Sequence, residues 1–162
     1  MTRTLGSELP DLLRQLLDGA AVAACSEEDL NPAFLLVTAD EAGWPHLAML
    51  SLGELVAVDP HTLRAGLWLN STTTRNLGRD GRALLAVVAE GNGYYVRLTA
   101  SRGADLDLGP DGRLAYFVLH IDEVLLDAAE YATLTSGVTF RLHQPKDVLP
   151  RWQHAIAALR AA

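Results

Sequence analysis

The stretch PHLAMLSLGELVAVDPHTLRAGLWL, residues 45–69, decides the fold. Its first fifteen residues are mostly apolar and read as one long bent strand, with Gly53 marking a bulge or bend. Pro60, His61 and Thr62 make a tight turn, and LRAGLWL, residues 63–69, is the next strand. A connection this short leaves no room for a crossover, so the two strands run antiparallel. Upstream, AFLLVTAD, residues 33–40, is another apolar strand. It stops at EAGWP, a turn with Gly43 at its centre and Pro45 beyond it.

The same texture continues downstream. NSTTTRNLGRDGR, residues 70–82, reads as a short helix closed by Gly81. RALLAVVAE, residues 82–90, and YYVRLTASRG, residues 94–103, are two strands joined at Gly91-Asn92-Gly93, a hairpin turn that needs positive φ. LAYFVLHIDEVLLDAA, residues 114–129, and SGVTFRL, residues 136–142, complete the sheet. His120 lies in the first of these and reads as a structural histidine.

Helices flank this β-rich middle. SELPDLLRQLLDG, residues 7–19, carries an apolar face of Leu9, Leu12, Leu13, Leu16 and Leu17; Ser7 can cap it and Gly19 can end it. AVAACSEEDLNP, residues 21–32, reads equally as a short helix or a connector. A last helix, about residues 148–160, is capped by Asp147, holds Pro150 in its first turn, and carries the stripe Val148, Leu149, Trp152, Ile156 and Leu159. The expected architecture is a single mainly β (α+β) domain over residues 1–162. It has a small antiparallel barrel at about 33–142, with helices at both ends.

The 162 residues are 49% hydrophobic and 20% charged, which fits a globular chain and excludes disorder. A formal net charge of -7 argues against broad binding to nucleic acid or to anionic membranes, both of which need extended basic surfaces. The single cysteine, Cys25, excludes an internal disulfide, and with five histidines that lack ligand-like spacing it argues against a Cys/His zinc cluster. No apolar run has signal-peptide or membrane-spanning character, so a cytoplasmic location is expected.

Few motifs carry chemistry. GNGYYV, residues 91–96, lacks the third glycine of a dinucleotide fingerprint. Ser51 lacks the flanking glycines of a nucleophile elbow. Residues 70–82 differ, because hydroxyls at Ser71 to Thr74 and the guanidinium of Arg75 gather at a helix start, which carries partial positive charge. That combination suits a phosphate group, and it also suits a capped surface helix.

AFLLVTADEAGWPHLAMLS followed by LRAGLWLNSTTTRNLGRDGRALLAVV resembles the flavin-binding split-barrel superfamily related to pyridoxamine 5'-phosphate oxidase. The shared features are a D..G.PH turn, a strand ending in LWL, a Ser/Thr-rich turn, an Asn-Leu pair and GRALL opening the next strand. The likeness runs from about Phe34 to Leu142. It implies a six-stranded antiparallel split β-barrel, a homodimer with sites at the subunit interface, and flavin mononucleotide (FMN) as cofactor. It also implies that Ser71, Thr73, Thr74, Arg75 and Asn76 surround the phosphate. The isoalloxazine would lie along Ala48, Met49 and Leu50 and along Leu67, Trp68 and Leu69. Relatives often have a basic residue where this chain has Thr73. The longer basic set of true pyridoxamine-phosphate oxidases is not apparent, which argues against vitamin B6 oxidation. The expected activity is flavin-linked redox chemistry on a small molecule, with no side chain standing out as catalytic. The alternative is a non-catalytic ligand-binding dimer on the same barrel, or a binder of deazaflavin or haem. His46, Trp44, Trp152 and Arg141 are further candidates for contact with a ligand.

Overall fold

The computed structural model describes residues 1–25 and 30–162. Its elements are β1 (Thr2–Gly6), α1 (Asp11–Leu16), α2 (Ala20–Ala24), β2 (Asn31–Pro32), β3 (Phe34–Ala39), β4 (Pro45–Leu50), β5 (Leu55–Asp59) and β6 (Thr62–Trp68). These are followed by α3 (Thr72–Asp80), β7 (Arg82–Ala89), β8 (Asn92–Arg102), β9 (Leu106–Asp107), a 3-10 turn (Gly109–Asp111), β10 (Arg113–Asp127), β11 (Thr139–Phe140) and α4 (Pro145–Ala161).

The main sheet runs β4-β3-β7-β8-β10-β6-β5, with β1 and β9 added along β10, and its neighbours pair antiparallel. The two ends of this path, β4 and β5, are consecutive in sequence. Four residues, Ser51 to Glu54, join them, so one bent segment links the two edges of the sheet. With β4 and β5 counted as halves of that segment, the six expected barrel strands are all present. This is a split barrel.

The bend has a local cause. Ser51 donates both its N–H and its hydroxyl to Glu54 Oε2, at 2.7 and 2.9 Å, and the Glu54 N–H returns to the Ser51 carbonyl at 3.2 Å. Such side-chain bonds offer the backbone an alternative to the sheet ladder. Gly53 is required for a second reason. A Cβ there would lie 2.2 Å from Cγ of Trp152, which α4 lays across the bend.

Alternation along the strands sends Phe34, Leu36, Leu63, Leu85, Phe117 and Leu119 into the barrel, where they are fully buried. Leu13, Leu17, Trp152, Ile156 and Leu159 of the helical layer join the same apolar cluster. Arg64 of β6 donates to the carbonyls of Leu159 and Arg160, at 2.9 and 3.0 Å, and so ties down the end of α4.

Several expectations are corrected. Residues 136–142 do not complete the main sheet, because β11 pairs with β2 in a separate two-stranded sheet. The N-terminal strand β1, paired with the far half of β10, was not foreseen. Helix α1 begins at Asp11 without a side-chain cap from Ser7, and Gly19 precedes α2 rather than closing α1. Of the ambiguous stretch 21–32, residues 21–24 are helical and Ser26 to Asp29 lie outside the described residues. Helix α4 starts at Pro145, so Pro150 falls inside it and Asp147 is not its cap. The β7–β8 loop is Glu90-Gly91, with φ of 46° and 80°, one residue earlier than expected. Two successive positive φ values suit the right-handed twist of a hairpin. His120 is exposed rather than structural.

Candidate functional site

Helix α3 starts directly after β6. Ser71 has extended backbone and caps it, accepting the Thr74 N–H at 3.0 Å. The Ser71 hydroxyl donates to Thr74 Oγ1, and Thr74 Oγ1 donates to the Trp68 carbonyl at 2.8 Å, which clamps the helix start to the end of β6. The first intrahelical bond is Arg75 N–H to Ser71 O. The Thr72 and Thr73 N–H groups precede it, as the first N–H groups of any helix do. No acid stands in the first turn of α3.

The hydroxyl run divides by helical period. Thr73, Thr74, Asn76 and Leu77 are buried, and Asn76 Nδ2 donates to Thr38 Oγ1 of β3 at 3.0 Å. Thr72 is half-buried and Arg75 is exposed. The Arg75 guanidinium folds back over the helix start and donates to the Asn70 carbonyl at 2.8 Å and to Thr72 Oγ1 at 3.0 Å. Of the residues expected around a phosphate, Ser71 and Arg75 therefore reach the surface, while Thr73, Thr74 and Asn76 hold the helix against the barrel. Thr72, Arg75 and Arg79 line a shallow depression of about 320 Å³, which they share with Asp40 and Glu41 of the β3–β4 turn. The local field is therefore mixed in sign.

The strip expected under a flavin ring lies next to this helix start. On β4, Ala48 is half-buried, Met49 is 59% exposed and Leu50 is buried. On β6 and just after it, Leu67 is buried, Trp68 is 53% exposed and Leu69 is half-buried. Met49 and Trp68 meet at the wall of a single cavity of about 460 Å³, enclosed between the β4–β5 bend, β11 and α4. This cavity is larger than the depression at α3. Trp68 stands between the two, with its carbonyl anchoring α3 and its indole facing Arg151 of α4 at 5.4 Å.

Sequence reasoning missed Thr38, Glu54 and Arg151. Glu54 lines the cavity, and burial pushes its carboxyl above the usual range against the opposing effect of the Ser51 hydrogen bonds and of Arg151. A signal was present, since Glu54 is a lone acid in the apolar run 47–58. Trp152 is buried and forms part of the cavity wall, meeting Phe140 edge-on at 6.1 Å between centroids. His46 is half-buried opposite Thr38, whereas Trp44 and Arg141 are exposed. Among the described residues, no group of three or more His, Cys, Asp or Glu side chains is placed to hold a metal ion. No helix among them is long and apolar enough to cross a membrane.

No family model matches the chain. It is 38% identical over 156 residues to an uncharacterised protein, YclD, of Bacillus subtilis strain 168, covering 94% of this chain and 96% of that protein. Among solved structures, it is similar to a candidate pyridoxamine 5'-phosphate oxidase from Lactobacillus delbrueckii. That match has a TM-score of 0.54 and 18% identity, over 75% of this chain and 98% of the other. A HupZ variant from Group A Streptococcus also has a TM-score of 0.54, at 14% identity, over 72% of this chain and 98% of its own. At these identities the two structures speak for the fold alone.

Proposed function

We infer the function from the premise that this chain belongs to the family of Bacillus subtilis YclD and has the split-barrel fold of pyridoxamine 5'-phosphate oxidase-like proteins. It binds FMN and uses it to oxidise or reduce a small molecule. The observation that carries this reading is the adjacency built by Trp68. On one side of it lies a helix start with open N–H groups and the Arg75 guanidinium, and on the other an apolar strip that opens into a cavity. An anion and a flat ring need these two environments side by side.

The residues fit the group. The Thr72 and Thr73 N–H groups, the Thr72 hydroxyl and Arg75 would hold the phosphate, with Ser71, Thr74 and Asn76 fixing the helix start beneath it. Arg75 has only neutral partners now, a carbonyl and a hydroxyl, so a phosphate oxygen would give its guanidinium a stronger, charge-assisted bond. Met49 and Trp68 offer exposed apolar surface to the ring. FMN supplies the electron transfer when bound, and the protein positions it and excludes water. Trp44, Leu47, Met49 and Trp68 are all large apolar side chains left exposed around the edge strand β4. A second copy of the chain covers this face in a homodimer, which places the sites at the interface.

The test is titration of FMN followed by flavin fluorescence, comparing the wild type with Arg75→Ala. Loss of a charge-assisted bond to phosphate predicts affinity weaker by at least about tenfold, with the circular dichroism unchanged. Equal affinity in the two proteins would refute the phosphate assignment.

A further inference from the structure

The cavity under α4 has a chemical character of its own. Its walls are apolar, built from Leu108, Leu114, Phe140, Leu142 and Trp152 among others. Few polar side chains face it, and they differ in what they have left to offer. Asp111 is engaged by His154 at 3.0 Å. Ser51 spends its hydroxyl hydrogen on Glu54 Oε2. The second carboxylate oxygen of Glu54, Oε1, receives no hydrogen bond, and it is not a sealed orphan atom either. Arg151, among the described residues, has neither a hydrogen bond nor an ion pair, and its guanidinium rests only against the Trp68 indole. Opposite charges thus flank an apolar space of about 460 Å³ without closing on each other.

We propose that this cavity binds a small aromatic acid, with the ring among the apolar walls, the carboxylate on Arg151 and a hydroxyl or amine hydrogen on Glu54 Oε1. Three features select that class. The volume lies in the range of sites for small organic ligands and is mostly apolar, which excludes sugars and simple ions. A guanidinium already seated against an aromatic face keeps its N–H fork free for a carboxylate. A carboxylate with a free oxygen accepts a donor and repels a second anion, so it orients the ligand with its acid toward Arg151.

No residue of α3 lines the cavity. The site therefore stands whether or not FMN binds, and only its use as a substrate site rests on the flavin reading. In that case the ligand would lie beside the ring, because Met49 and Trp68 border both.

Isothermal titration calorimetry with 3-(4-hydroxyphenyl)propionate tests the site on the protein without added flavin. The compound is expected to bind, and 4-propylphenol, which lacks the carboxylate, to bind at least about tenfold more weakly. In Arg151→Gln the acid should fall to the level of 4-propylphenol, while 4-propylphenol itself keeps its affinity. Glu54→Gln should weaken the hydroxylated acid more than it weakens 3-phenylpropionate. Absence of binding to the wild type, or equal binding of the acid to wild type and Arg151→Gln, would overturn the proposal. FMN affinity of the wild type is a separate readout: a wild-type protein that binds the acid but not FMN removes the redox reading and leaves this site standing.

Discussion

Gly53→Ala isolates the contact that shapes both the barrel seam and the cavity. The new Cβ would lie 2.2, 2.3 and 2.7 Å from Cγ, Cδ1 and Cβ of Trp152. Carbon atoms pack at about 3.5–4.0 Å, so the indole must retreat by roughly 1.3–1.8 Å. It packs edge-on against Phe140 and is only 8% exposed, which leaves two ways out. Either α4 lifts from the bend or the indole tips into the cavity. Overpacking of this kind costs about 1–3 kcal/mol, and weakening the aromatic pair adds about 0.5–1.5 kcal/mol. For a chain of this length each kcal/mol moves the melting point by about 2–4 °C, so a drop of roughly 3–18 °C is expected by circular dichroism. The φ of Gly53 lies outside the left-handed region, so the backbone itself does not resist alanine. The double variant with Trp152→Ala therefore separates the causes. Trp152→Ala alone should cost about 3–5 kcal/mol, and Gly53→Ala should add less on top of it than it costs in the wild type, because the contacts with Cγ and Cδ1 are gone and only the 2.7 Å contact with Cβ of residue 152 remains. An equal cost of Gly53→Ala in both backgrounds would refute the steric argument.

Other expectations follow from the site. Ser71→Ala removes the α3 cap and should cost about 1 kcal/mol in urea unfolding, together with weaker FMN binding. Asn76→Ala leaves the buried Thr38 hydroxyl without its donor and should cost about 1–3 kcal/mol; an effect below half a kcal/mol would show that the α3–β3 link is not structural. Burial raises the Glu54 carboxyl above its ordinary 4.5, so the folded state holds this proton more tightly than the unfolded one. Its contribution to stability is fully present below 4.5 and is lost as pH rises through the folded value. Urea unfolding of Glu54→Gln should therefore gain on the wild type as pH rises from about 4.5 toward neutrality, and a constant difference would contradict the assignment.

Much of the barrel was legible because strand alternation and short turns are local signals. The bent segment 45–59 was readable as one strand interrupted near Gly53. The reason for that glycine was not, since it lies in Trp152, which arrives from the far end of the chain. SGVTFRL has the apolar alternation of a barrel strand, yet only Thr139 and Phe140 pair, and with Asn31 and Pro32. Period alone cannot say which partner a strand finds. β1 escaped notice because it lies at the margin of the sheet with most of its side chains exposed, so no buried face patterns it.

The helix start after β6 was also readable, but the division of its hydroxyls was missed. Leu77 is an apolar residue that must face the barrel, and Thr73 and Thr74 stand four and three residues before it on the same face. That spacing alone assigns Thr72 and Arg75 to the outer surface. Arg151 lay beyond reach, because it gains its meaning only when α4 crosses the sheet beside Trp68 and Glu54.

The most direct test of the flavin reading is the absorbance spectrum of the purified protein after incubation with FMN and removal of the excess. The account predicts flavin bands that stay with the wild type and are diminished in Arg75→Ala. A colourless wild-type protein that releases all added FMN would contradict it, and the start of α3 would then be a capped surface helix.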